Sequence, residues 1–430
     1  MAVLKLAYGR GRVSFADAAG RFAVLEPAAD AAERPLSDAE LGVSMDDPVD
    51  SQPLEEIISP GESVLIVASD ATRATAAGQV INLLVRRLIS LGVAPHDLKI
   101  IFATGIHRPV SEAEKRELLT PFITQRIHTL AHNAHDPTQH VDLGSTERGT
   151  PIEINRALVE HSHVILTGAI NFHYFAGFTG GRKSVCPGLA SARTTAATHL
   201  LALDPETGGR RAGVGTGRLD GNAVHEECER ITAEIAPSFL LNTIVDERGR
   251  AVRLYAGDWR AAHRLACAEF VETHTIKIPE KRPLVVAGCG GTPYDINLIQ
   301  AHKALDMATH ACADGGTIIL VAECAEGTGR TDFLQWFDAA DSRALAAQLL
   351  ENYAVNGQTA WSLLSKAERF NVVLVSELAD EDVRHMRMTP ARTIEEALAQ
   401  IDPDVLGYVL PRGAHFIPVT VLSPRGAADQ

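Results

Sequence analysis

Six short apolar runs constrain this chain more than any other feature. SVLIVAS (63–69), KIIFATG (99–105) and HVILTGA (163–169) form one series; PLVVAGCGG (283–291), TIILVAE (317–323) and NVVLVSE (371–377) form a second. Aliphatic, β-branched runs without polar alternation are what strands buried on both faces require, and parallel sheets bury their strands that way. Helical patterns alternate with them. QVINLLVRRLISLG has apolar residues at helical spacing and closes on Gly92 as a C-cap. Such alternation predicts α/β layers. The proline-bracketed polar stretch HTIKIPEKRP (274–283) separates the two series. The expected fold is α/β: two α/β domains with mainly parallel, Rossmann-like sheets and the active site in the cleft between them. The N-terminal domain is expected over 1–275 and the C-terminal domain over 276–430, its final segment free to pack back on the first. The first fifty residues and the last ten carry little signal.

Composition excludes several classes of function. A net charge of −14 over 430 residues argues against a nucleic-acid partner. No apolar run approaches the ~18 residues that span a bilayer. The start, MAVLKLAYGRGRVSF, lacks an apolar core and cleavage site and does not read as a secretory signal. Six scattered cysteines without a CxxC pair fit reduced thiols in a cytoplasmic enzyme.

The chemistry-bearing residues follow the apolar runs. Asp70-Ala71-Thr72-Arg73 follows the first, Gly105-Ile106-His107-Arg108 the second, and Gly168 through Lys183 the third. In open α/β sheets ligands bind beyond the carboxyl ends of the strands. NFHYFAGFTGGRKSVCPGLASARTTAATH (171–199) concentrates His173, Lys183 and His199 among glycines, including Gly180 and Gly181. His and Lys are the side chains most ready to act as acid, base, metal ligand or covalent anchor. Arg182 separates Gly181 from Lys183, so the phosphate-loop pattern fails. GCGGTPYDINLIQAHKAL (288–305) leads from a strand end into a helix, with Gln300 and Lys303 one turn apart on one face. GVGTGRLDG (213–221) has the wrong glycine spacing, and no strand precedes it, for a dinucleotide fingerprint. The histidines of 128–140 read as structural loop residues.

HYFAGFTGGRKSVCPGLAS, ATGIHRP, DATR, GRLDGNAVHEE and PYDINLIQAHKAL, in chain order DATR, ATGIHRP, HYFAGFTGGRKSVCPGLAS and the other two, resemble the lactate racemase family that uses a nickel-pincer nucleotide. The similarity runs from about Ser63 to Trp361. It implies a nickel pyridinium-3,5-bisthiocarboxylic acid mononucleotide covalently bound to Lys183, with nickel ligated by His199. It also implies His107 and His173 as acid–base groups, Asp70, Thr72, Gly180 and Gly181 around the cofactor, and Arg73, Gln300, Lys303 and Trp361 toward the substrate. Transient contact with cofactor-making enzymes follows from the same resemblance. The chain departs from the family pattern at Ala74-Thr75, Ile106 and Ile299, which border the substrate.

The activity implied is inversion of carbon 2 of a small 2-hydroxy acid, lactate-like, by hydride transfer to and from the cofactor, with one histidine per face. Two other readings stand beside it. An NAD-dependent 2-hydroxy acid dehydrogenase needs a GxGxxG after a strand; a non-catalytic nickel-nucleotide binding protein has no need of both His107 and His173.

Overall fold

The computed structural model describes residues 2–17, 20–27 and 34–421. They form two compact units, one over 32–202 and 211–271, the other over 1–31, 203–210 and 272–430.

The first unit is built on a six-stranded sheet in the order Ala251–Gly257, Phe239–Val245, His163–Ala169, Val64–Ser69, Leu98–Ala103, His128–Leu130. Only the Ala251–Gly257 strand runs antiparallel to its neighbour. Val64, Leu65, Ile66 and Val67 are all fully buried, as a strand covered on both faces demands. The helix Ala77–Ser90 buries Val80, Ile81, Leu84, Val85 and Leu88 at three- and four-residue spacing. They join Ile66, Ile100 and Phe102 in one core; each such side chain contributes roughly 1.5–3 kcal/mol by leaving water. Gly92 ends the helix at φ +95°, a conformation that side chains with a Cβ resist. From Val64–Ser69 the chain moves outward through 98–103 to 128–130, then returns to the opposite side at 163–169. The strand order therefore reverses at the Val64–Ser69 and His163–Ala169 pair, and ligand sites form at the carboxyl ends of such a pair.

The second unit has an all-parallel sheet: Thr389–Ala391, Asn371–Val375, Cys312–Val321, Arg282–Gly288, Gly407–Leu410 and Phe22–Val24. Here the structure corrects the sequence reading, which gave residues 1–31 to the earlier domain. Phe22–Val24 pairs with Gly407–Leu410, and the hairpin Ala2–Tyr8/Gly11–Asp17 sends Leu6 and Phe15 into the core around Val286, Ile319 and Val409. A three-residue strand shows no periodicity, so the pairing was invisible in the sequence. The stretch expected as a linker contains the strand Thr275–Ile278, which pairs with Ile417–Thr420. The final residues, 422–430, lie outside the described ones. All six cysteines are free and buried. Among the described residues no helix is long and apolar enough to cross a membrane.

Candidate active site

Three loops at the reversal point of the first sheet carry the predicted groups. After Val64–Ser69 the chain turns back on Asp70: the backbone N–H and hydroxyl of Thr72 donate to Asp70 Oδ1 at 3.0 and 2.5 Å. Asp70 Oδ2 lies 2.9 Å from His107 Nδ1. The carboxylate is buried at 8% side-chain exposure while His107 is 49% exposed. Burial pushes the Asp70 carboxyl up, but hydrogen bonds from His107 and Thr72 and the charges of His107 and Arg73 outweigh it and hold it below its ordinary value. An ionised Asp70 accepts only, so the His107 proton sits on Nδ1 and Nε2 keeps its lone pair. That is the arrangement of a positioned base.

The third loop supplies the rest. Phe172–His173 pairs with Gly177–Phe178 in a tight ribbon, Lys183 sits in the short turn Gly181–Ser184, and His199 lies in the helix Ala192–Leu200 capped by Ser191. Lys183 Nζ is 3.2 Å from His173 Nε2. His173 Nδ1 accepts the backbone N–H of Ala176 at 3.2 Å. With Nδ1 acting as acceptor, the neutral ring carries its proton on Nε2, and the Lys183 nitrogen must then accept it as an uncharged amine. The electrostatics agree. Burial first, then neighbouring positive charges, lowers the Lys183 ammonium to about 7. Burial and the charges of Lys183 and Arg73 push the His173 imidazolium well down. Burial and Lys183 bring His199 to about 3. The charge of Arg73, three residues after Asp70 in the same loop, contributes to the shifts of Asp70, His173 and Lys183.

Glycine at 180 and 181 is demanded by protein packing. Both have positive φ, and a Cβ would lie 2.5 Å from Asn242 Oδ1 or 2.6 Å from the His263 ring. Asn242 Oδ1 accepts the Gly181 N–H at 2.9 Å. Buried Arg182 donates to the Ala176 carbonyl at 2.7 Å and contacts His263 at 2.9 Å. The loop that aims Lys183 is held from below by these groups.

Sequence reasoning missed Phe175. Its ring centroid lies 4.4 Å from that of His173, 4.9 Å from that of His199 and 5.4 Å from Lys183 Nζ. It packs one apolar ring against all three polar groups; its position between His173 and the glycines was the available signal. The backbone of Ala176 was beyond sequence reasoning altogether.

The second unit holds Gln300, Lys303 and Trp361. Lys303 Nζ donates to Gln300 Oε1 at 2.7 Å on the helix Leu298–Ala308, as the spacing predicted. Trp361 is buried at 3% and donates its indole N–H to the Gly208 carbonyl at 3.1 Å. It lines a cavity with Arg210 and Lys366 rather than with Gln300 and Lys303. The 213–221 segment is a loop with no strand leading into it. His132 meets the side-chain amide of Asn155 at 3.1 Å and the ring of His140 edge-on, a structural role.

Among the described residues no group of three or more His, Cys, Asp or Glu side chains could hold a metal. A metal at His199 would need a group that brings its own donors.

Comparison with known proteins agrees on one family. A lactate racemase N-terminal domain model matches residues 8–209, and a lactate racemase C-terminal domain model matches residues 279–407. The chain is 31% identical to a lactate racemase of Lactiplantibacillus plantarum over 386 residues, covering 85% of this chain and 89% of that one. It is 27% identical to a lactate racemase of Thermoanaerobacterium thermosaccharolyticum, over 97% and 99% of the two chains. The solved lactate racemase apoprotein from the latter organism superposes with a TM-score of 0.88 at 26% identity, covering 97% of this chain and all of that one. A Thermotoga maritima protein at 19% identity and TM-score 0.67, covering 90% of this chain and 100% of that one, shares the fold.

Proposed function

Since the chain belongs to the lactate racemase family and is an isomerase of the racemase kind, we propose that it inverts carbon 2 of a small 2-hydroxy acid, using a nickel-pincer nucleotide joined to Lys183. The observation that carries this reading is the buried Lys183 amine 3.2 Å from His173 Nε2 in the sheet-reversal site, where burial lowers its pKa to about 7. Covalent attachment through an amine needs the free base, and an amine with a pKa near 7 supplies it at neutral pH. His199, neutral because burial holds it near 3, is a ligand-ready imidazole. These residues fit the group, with Lys183 as anchor and His199 as the protein's ligand to its nickel. When bound, the group supplies a hydride acceptor for the hydrogen on carbon 2.

The protein's own part is proton movement and positioning. His107, with its Nδ1 proton donated to Asp70, takes the substrate hydroxyl proton on Nε2 as the hydrogen on carbon 2 leaves with its electron pair, leaving a 2-keto acid. His173, held by the Ala176 N–H, presents Nε2–H. The two histidines therefore begin a turnover as opposite neutral tautomers, and the one that has taken a hydroxyl proton becomes the imidazolium that can return it to the keto oxygen. Arg73 offers a planar fork for the substrate carboxylate. In the second unit Lys303 and Gln300 present an ammonium and an amide suited to a carboxylate, while Trp361 contributes its ring, its N–H being committed to Gly208. Phe175 keeps water away from Lys183. Cofactor-making enzymes as transient partners and a cytoplasmic location complete the proposal; six free thiols fit a reducing compartment.

Purified protein loaded with the cofactor, given one pure enantiomer and no NAD, should produce the opposite enantiomer until the mixture is racemic by chiral chromatography. Conversion that occurs only when NAD is added would overturn the proposal.

A further inference from the structure

The second unit contains a cavity of about 390 Å³, whose lining includes Arg210, Lys281, Lys366 and Arg369, with Asp306 as its one carboxylate. The charges are graded by depth. Lys366 forms the floor at 7% side-chain exposure, bonded to Asp306 at 2.9 Å and the Ser362 hydroxyl at 2.7 Å. Arg210 stands halfway at 31%, 3.5 Å from Asp306. Arg369 lies at the mouth at 54%. Lys281 is exposed beside it and reaches the Thr309 carbonyl at 3.3 Å. Asp306 is already committed to Lys366 and Arg210. The Arg369 partner, Asp314, is 70% exposed and is not part of the lining. Burial lowers the pKa of His310, also in the lining, so it adds no charge at neutral pH.

Four cations line one concavity with a single carboxylate, Asp306, among them, so in a chain of net charge −14 the cavity keeps an excess of positive charge that favours an anion. The volume lies within the ~300–1,000 Å³ typical of small-molecule sites. Trp361 and Phe370 supply apolar walls, so the space suits an organic part as well as a charged head. We propose that this cavity binds a small organic anion with a phosphate or carboxylate head. The Gly208 and Gly209 backbone forms part of the wall, and the segment Leu203–Arg210 that bears it is the excursion the chain makes between two stretches of the first unit. An occupant would steady that segment. The cavity shares Trp361 with the residues proposed above to face the substrate, but its charged groups, Arg210, Lys281, Lys366 and Arg369, are none of those assigned to the racemase chemistry.

The full chain, free of cofactor, should be titrated calorimetrically with inorganic phosphate, glycerol phosphate and lactate, with hydrogen exchange followed at 203–211. Saturable binding by any of them, with slower exchange at 203–211, is expected. Phosphate binding lost in the double variant below identifies a phosphate head in this cavity, and lactate binding lost there a carboxylate head. The double variant Lys281→Glu/Arg369→Glu changes only exposed side chains and should weaken binding at least about tenfold. No saturation below ~10 mM, or equal binding by the double variant, would overturn the proposal. Because no turnover is measured, neither outcome bears on the racemase reading.

Discussion

Lys183 is worth following as a single residue because one number governs its chemistry. A lysine lowered from 10.5 to about 7 is mostly free base at pH 8. An amine-directed acylating reagent should therefore label Lys183 ahead of other lysines, with a rate midpoint near pH 7 by peptide mass spectrometry; a midpoint near 10 would contradict the uncharged amine. The sign of its effect on stability follows. Between the folded value and 10.5 the unfolded chain binds the extra proton, so Lys183 costs stability fully below pH 7 and progressively less as pH rises to 10.5. Lys183→Met should then be more stable than the parent at pH 6.5, with the difference vanishing near pH 10.5. Asp70 makes a second prediction. Asp70→Asn keeps the shape but can leave the His107 proton on the wrong nitrogen, so kcat should fall by roughly 10²–10⁴-fold with KM little changed. Steady-state kinetics on loaded protein test this, and an unchanged kcat would remove His107 as the base. His107, His173 and Lys183 were legible in the sequence because each follows a strand end. The tautomers were not, since the Ala176 N–H that fixes His173 belongs to the backbone.

Among the elements, the loop from His173 to Lys183 shows how much rigidity the site demands. Gly181 sits at φ +53° with the His263 ring in the space of a Cβ, whereas Gly61 at φ +90° has nothing within 4 Å. Gly181→Ala meets strain and a clash; Gly61→Ala meets strain alone. Strain of this kind costs about 1–3 kcal/mol, and the clash should make the Gly181 variant the less stable of the two by chemical denaturation. Equal losses would mean that the His263 contact yields easily. The strands 63–69, 99–105 and 163–169 were readable because burial on both faces leaves an unbroken aliphatic run, and the helix Ala77–Ser90 because its apolar residues recur at helical spacing. The hairpin Ala2–Tyr8/Gly11–Asp17 went unread, since only Leu6 and Phe15 are fully buried in the core of the second unit, Leu4, Tyr8 and Val13 pack on it only partly, and charged residues lie between.

For the whole molecule, the sequence series correctly separated two sheets but assigned the ends of the chain by proximity in sequence. The second unit gathers its strands from both termini, and its edge strand Phe22–Val24 comes from a region with no legible pattern. What completes a parallel sheet is an open edge, and a sequence does not record which distant segment fills it. The same limit applied to the site. The sequence supplied its charged residues, while the reversal of strand order that gathers Asp70, His107 and Lys183 is a property of the folded sheet. The central claim is that this scaffold moves hydrogen at carbon 2 as a retained hydride, with the two histidines handling only the hydroxyl proton. The most direct measurement starts from one enantiomer deuterated at carbon 2, incubated with cofactor-loaded protein in ordinary water and analysed by mass spectrometry after chiral separation. Deuterium retained at carbon 2 in the inverted product is the predicted result; product carrying only solvent hydrogen there would show proton abstraction and contradict the account.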